Sequence, residues 1–220
     1  MYFDAHLHLI DEKELLSAYQ KNIKGFIINA TKENEWEKII SLSKKYTFVQ
    51  AAIGIHPWFI ETASSDWQEK MALMLQNNPS LMIGEIGLDG LKDNIKKQEE
   101  IFLTSLCLAQ KFKRSVHVHA VKSWDKILSH LKEFSDVTYL FHRFNGSKEI
   151  IQELKKYNCW FSLCTQKNVE FLPIDKVLTE TDCNQDIYPS NQLIQLVDNF
   201  TLPLQQIEKN FYNFIQKSEN

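Results

Sequence analysis

The chain has 220 residues, 44% of them hydrophobic, and a formal net charge of −3. That length suits one domain and sits near the lower end for a closed α/β barrel, and the composition excludes a fibrous or disordered chain. The mild acidity excludes a broadly basic nucleic-acid surface, so any nucleic-acid substrate must be held locally.

A first strand is predicted over residues 2–9, followed by a helix over 11–22 with Leu15, Leu16 and Tyr19 at helical spacing. A second strand over 25–30 leads to Thr31, which is positioned to cap a helix over 32–46 whose face carries Trp36, Ile39, Ile40 and Ser43. Strands over 48–55, 81–88, 115–120 and 137–144 alternate with helices over 65–77, 94–112, 124–134 and 147–157. Strands over 159–163 and 176–181 follow. Residues 183–190 form the most loop-like stretch, and Pro203 opens a final helix reaching about residue 215. Alternating strands and helices mark a parallel sheet, and eight repeats point to closure. The expected fold is therefore α/β, a (β/α)8 TIM barrel forming a single domain over residues 1–220 with short loops. A doubly wound open sheet usually carries a glycine-rich phosphate loop after its first strand, whereas Ile10-Asp11-Glu12-Lys13 has no glycine there.

The N-terminal stretch has no basic segment and no long apolar run, so it does not read as a signal peptide. No stretch has the length of a membrane span. Cys107, Cys159, Cys164 and Cys183 form no C-x-x-C pair and read as free thiols in a reducing compartment. A cytoplasmic protein with no membrane association and no obligate protein partner is expected.

Six of the seven histidines fall in or just after predicted strands; the other, His130, reads as a partly exposed helix residue. In Asp4-Ala5-His6-Leu7-His8, strand alternation puts both rings on one face, where they can reach one cation. Asp4 shares that face by the same rule and is placed to order a ligand by hydrogen bonding. Glu85 interrupts an apolar strand; a buried unpaired carboxylate is costly, and metal coordination removes that cost. Asp89 reads equally as an acceptor behind a ligand or as a helix cap. His117 and His119 share a face, with His119 nearer the C-terminal end of its strand, where barrel sites form, and His117 deeper. His142 follows an apolar run and precedes a turn. Asp182 ends the last strand and is the better ligand and base, with Glu180 behind it as a structural acid. His6, His8, Glu85, His119, His142 and Asp182 are thus the candidate metal ligands, and strand ends from all over the chain converge at one barrel mouth.

These segments resemble the TatD family of metal-dependent deoxyribonucleases, within the amidohydrolase-like barrels. The resemblance rests on Asp4-Ala5-His6-Leu7-His8, Gly54-Ile55-His56-Pro57, Gly84-Glu85-Ile86-Gly87-Leu88-Asp89, Val116-His117-Val118-His119, His142-Arg143-Phe144-Asn145-Gly146 and Glu180-Thr181-Asp182. It implies that His6, His8 and Asp182 hold one metal, that His119 and His142 hold the other, and that Glu85 bridges them. It also implies phosphodiester cleavage of DNA, often from the 3′ end. The chain departs from the family pattern at Ala120-Val121-Lys122, where an arginine is common, at Arg143, where a small residue is common, and at Cys183-Asn184, where a proline is common.

The expected function is a two-metal hydrolase of phosphodiester bonds, a 3′–5′ exonuclease acting on DNA, with Asp182 and Glu85 in the catalytic role. His56, Lys122 and Arg143 are the expected substrate contacts. The mixed nitrogen and oxygen set accepts two divalent ions drawn from Zn, Mn, Ni, Fe or Mg. The same site would also serve a hydrolase of small esters, lactones or phosphotriesters. A metal-stabilised binding protein without catalysis is the reading from another class.

Overall fold

The computed structural model describes residues 1–8, 11–184 and 187–217. Among them, eight parallel strands form one sheet in sequential order. These are β1 (Tyr2–Leu7), β2 (Ile23–Asn29), β3 (Val49–Ile53), β4 (Met82–Asp89), β5 (Val116–Val121), β6 (Tyr139–Phe141), β7 (Cys159–Leu163) and β8 (Val177–Thr179). Helices α1 (Glu12–Gln20), α2 (Trp36–Lys45), α3 (Trp67–Asn77), α4 (Ile95–Phe112), α5 (Trp124–Glu133) and α6 (Lys148–Leu154) follow the first six strands. Two 3-10 turns join β7 to β8, and α7 (Ser190–Asp198) and α8 (Leu204–Lys217) follow β8. Among the described residues no helix is long and apolar enough to cross a membrane.

The fold is the expected (β/α)8 barrel. Its seam between β8 and β1 is tied by single bonds: Thr179 Oγ1 donates to the Phe3 carbonyl at 2.9 Å, and Asp182 N donates to the His6 carbonyl at 2.9 Å. His8 N adds a bond to the Cys183 carbonyl at 2.6 Å. A large apolar cluster lies between strands and helices. A second fills the barrel interior with Phe3, Ala5, Ile27, Ala52, Met82, Leu140, Trp160 and Leu178. Helix α8 plugs the N-terminal floor, bringing Phe211 and Phe214 into that interior cluster. Phe211 lies 4.8 Å from the Phe3 ring and Phe214 lies 5.4 Å from Trp160. Gly25 is the neighbour that permits this, since a Cβ there would come within 2.6 Å of the Phe211 ring.

Two register shifts decide what faces the mouth. Asp4 pairs with Phe26 but Leu7 with Ile28, so β1 holds one extra residue. Ile83 pairs with Val116 but Ile86 with Val118, so β4 does too. Such bulges re-aim side chains next to functional sites. Below them Phe3, Ala5 and Met82 face inward; above them His6, His8 and Glu85 do.

Several expectations are corrected. The strand over 2–9 ends at Leu7, with Leu9 outside the described residues, and the strand over 137–144 shrinks to Tyr139–Phe141. Thr31 does not cap α2: its N–H and hydroxyl bond the Glu35 carboxylate, and a 3-10 turn at Glu33–Glu35 precedes the helix. Helix α7 was not expected; its inward residues Leu193 and Val197 supply only one i,i+4 pair. Part of the expected loop over 183–190, Gln185 and Asp186, lies outside the described residues. His130 is buried rather than half exposed, its Nε2 2.8 Å from Glu99 Oε1.

Candidate metal centre

Glu85 is the hub. Its side chain is 1% exposed, and its two oxygens face different histidines. Oε2 lies 3.3 Å from His6 Nε2 and 3.1 Å from His8 Nε2. Oε1 lies 2.9 Å from His119 Nδ1, 2.8 Å from His142 Nε2 and 3.1 Å from His56 Nε2. Asp182 Oδ1 adds an oxygen on the His8 side, 3.4 Å from His8 Nε2 and 3.9 Å from both His6 Nε2 and His142 Nδ1. All six expected ligands therefore converge at the C-terminal mouth.

Glycines make room for the hub. A Cβ at Gly84 would come within 2.6 Å of the His117 Cβ. Gly87, at φ 145°, lies so close to β5 that a Cβ would sit 2.0 Å from the His119 carbonyl oxygen. Only glycine fits that approach and that backbone angle.

Hydrogen bonds on the far side of the rings choose their tautomers. His8 Nδ1 donates to the Asn29 carbonyl at 2.8 Å, which leaves the Nε2 lone pair for the centre. His6 Nδ1 meets His117 Nδ1 at 3.3 Å, and His117, deeper and packed on Phe214, backs His6 as expected. Asp89 lies behind a candidate ligand, its Oδ2 3.5 Å from His119 Nε2 as an ion-pair neighbour. It also accepts from Trp58 Nε1 and Leu91 N. His56 is the reverse case: its Nδ1 accepts from Trp58 N at 3.1 Å, so in the neutral ring the proton is on Nε2, which points at the centre. Although His56 shares a compact group with Glu85 and His119, this tautomer makes it a donor rather than a ligand.

The electrostatics fit a cation. Burial alone would raise the Glu85 carboxyl, but His142, His56 and His119 outweigh it and hold it well below the usual range. Asp182 is likewise lowered against the pull of burial, by the neighbouring His8, His142 and His6. Burial and the neighbouring His142 lower His6 to about 3. The Nε2 of His6 and Nδ1 of His142 are buried without an acceptable hydrogen bond. Three groups drawn from these residues, His6/His142/Asp182, His6/His8/Glu85 and His56/Glu85/His119, have donor atoms within 4.8 Å of one another. Unsatisfied imidazole nitrogens facing ionised buried carboxylates are a donor set that a divalent ion satisfies.

The remaining expectations divide. Arg143 follows His142 and takes a left-handed turn at φ 41°, which returns its guanidinium to the mouth; Nη1 donates to Asp182 Oδ2 at 3.0 Å. Lys122 also turns, at φ 48°, but stays exposed and joins none of the described ion pairs. Glu180 is buried and accepts from Ser162 Oγ and Arg143 N, in the structural role expected of it. Burial and the neighbouring Asp182 push its carboxyl well up. Asp4 is the correction: the β1 bulge takes it off the ring face. Its carboxylate accepts from Thr181 Oγ1 at 2.6 Å and Tyr188 Oη at 2.7 Å, and so positions the segment carrying Asp182. The sequence reading missed Trp58 and Tyr188; Trp58, directly after His56-Pro57, was within reach of it.

Comparison with known proteins gives the family. The family model for TatD related DNase matches residues 3–192. An uncharacterised metal-dependent hydrolase of Methanocaldococcus jannaschii is 32% identical over 202 residues, which cover 82% of this chain and 78% of the relative. The Homo sapiens deoxyribonuclease TATDN3 is 26% identical, with 81% of this chain and 76% of that protein covered. Among solved structures, the TatD homolog YjjV from Escherichia coli superposes with a TM-score of 0.84 at 22% identity, over 98% of this chain and 96% of that one. Matched by the family model over most of its length and by a relative above 30% identity, the chain belongs to the TatD related DNase family and is a metal-dependent hydrolase.

Proposed function

We propose that the chain hydrolyses phosphodiester bonds in DNA from the 3′ end, using two divalent cations. The observation that carries this reading is the division of Glu85: one oxygen faces His6 and His8, the other faces His119 and His142. His6, His8 and Asp182 would hold one ion, His119 and His142 the other, with Glu85 shared. The name of the human relative, a deoxyribonuclease, supports the choice of substrate. Bound cations supply Lewis acidity toward the phosphate ester.

The chain's own groups do the rest. Asp182, held ionised, accepts the proton of the attacking water at its carboxylate. Arg143 holds the second oxygen of that carboxylate and fixes its orientation. His56 directs its Nε2–H toward the centre, where it donates to a phosphate oxygen. Lys122, exposed beyond β5, is left for phosphates farther along the strand.

The test is dialysis against chelator, restoration of single metals, and assay of single-stranded DNA with free 3′ ends beside small esters and phosphotriesters. Turnover of DNA that returns with metal, and that Asp182→Asn lowers by about 10²–10⁴-fold, is expected. Ester turnover without DNA turnover would move the assignment to small substrates. Full metal occupancy with no turnover at all would leave a binding protein.

A further inference from the structure

We propose that Trp58 is a stacking platform for a nucleobase of the DNA strand, placed so that the adjoining phosphate reaches the Nε2–H of His56 at the metal centre. This rests on the nuclease reading above and names the part of the substrate that the chain grips. Trp36 and Trp160 are buried, at 0% and 1% exposure, whereas Trp58 is 54% exposed. Trp58 lies in the 3-10 turn Pro57–Thr62, and an exposed indole in such a turn is ordinarily free to rotate. This one is pinned: Nε1 donates to Asp89 Oδ2 at 2.6 Å, and its backbone N donates to His56 Nδ1 at 3.1 Å. Its ring stands edge-on to His56, centroids 5.1 Å apart, and to His119, 6.2 Å apart. The indole is thus a rigid apolar plane rooted in the centre by its polar edge and open to solvent beyond.

A planar aromatic group is what such a surface takes, and every nucleobase offers one. The Lys92 ammonium lies over one face of the indole, 4.6 Å from its centroid, in a cation–π contact; a base takes the opposite face, or displaces this flexible side chain and leaves its charge for the nucleotide's phosphate. Stacking also answers the charge of the chain. With a net charge of −3 the chain as a whole does not attract a polyanion, and base stacking supplies affinity that is local.

The test measures binding apart from turnover, by fluorescence anisotropy on metal-loaded protein. The probes are a labelled hexathymidylate with phosphorothioate linkages and an abasic strand of equal length. The wild-type chain should prefer the thymidylate. Trp58→Ala should weaken that binding about 5- to 100-fold and leave the abasic strand unaffected, while Trp58→Phe, which keeps a ring but loses the Asp89 bond, should stay within about 3-fold. Absence of base preference in the wild type, or its survival in Trp58→Ala, overturns the platform. Equal losses in Trp58→Phe and Trp58→Ala also overturn it, and would make Trp58 a positioning residue for Asp89 and His119. Turnover of unmodified DNA is read separately: base-dependent binding without turnover removes the nuclease reading and keeps the platform, and turnover without base preference does the opposite.

Discussion

Asp4 shows how a single side chain here acts at one remove from the chemistry. It is fully buried, and burial raises its carboxyl to about 6, against the lowering effect of hydrogen bonds from Thr181 and Tyr188. Because the folded-state value lies above the ordinary one, protonated Asp4 favours the fold at low pH. That contribution is lost as pH rises through about 6. A shift of this size corresponds to about 3 kcal/mol. Asp4→Asn, neutral throughout, should therefore gain stability relative to wild type by up to about 3 kcal/mol between pH 4 and pH 7. Urea unfolding of both proteins across that range checks it, and parallel curves would show that Asp4 stays ionised in the fold. Arg143 makes a complementary point: a left-handed turn returns to the mouth a side chain that strand alternation alone would send outward.

The elements differ in how much each owes to its own sequence. Strands β5 and β7 lie close to their predicted spans because valine alternates with histidine in β5, while β7 is a short run buried throughout and marked by two aromatics. Helix α8 was legible as a helix, but its place beneath the barrel was not. Phe214 is fully buried against Trp160 and His117, where it closes the interior. Phe214→Ala should cost about 3–5 kcal/mol in denaturant unfolding, the range for deleting a buried phenylalanine. A loss under about 1 kcal/mol would mean the floor collapses around the gap. The β1 and β4 bulges are features of paired strands, visible only in register with β2 and β5.

For the molecule as a whole, the centre joins β1, β4 and β5 and the segments after β3, β6 and β8, so a cation there would tie distant parts of the barrel together. Binding to the folded chain alone stabilises by mass action, about 2.7 kcal/mol at a hundredfold excess over Kd. For a protein of this length that corresponds to a rise in Tm of about 5–10 °C. Calorimetry of chelator-treated protein, with and without added metal, measures it. An unchanged Tm at full occupancy would indicate that the site binds folded and unfolded chains alike.

The amino-acid sequence by itself determined the alternation of strands and helices, the barrel, and the six side chains gathered at its mouth. All are written in short-range periodicity and in polar residues set at apolar strand ends. Only the tertiary structure decided that Asp4 leaves the ring face, that Arg143 returns to Asp182, and that Trp58 stands pinned at the rim. Side-chain direction follows the local period of two until a bulge or a left-handed turn breaks it. Those breaks depend on neighbouring strands and on loops from elsewhere in the chain, which no local pattern encodes.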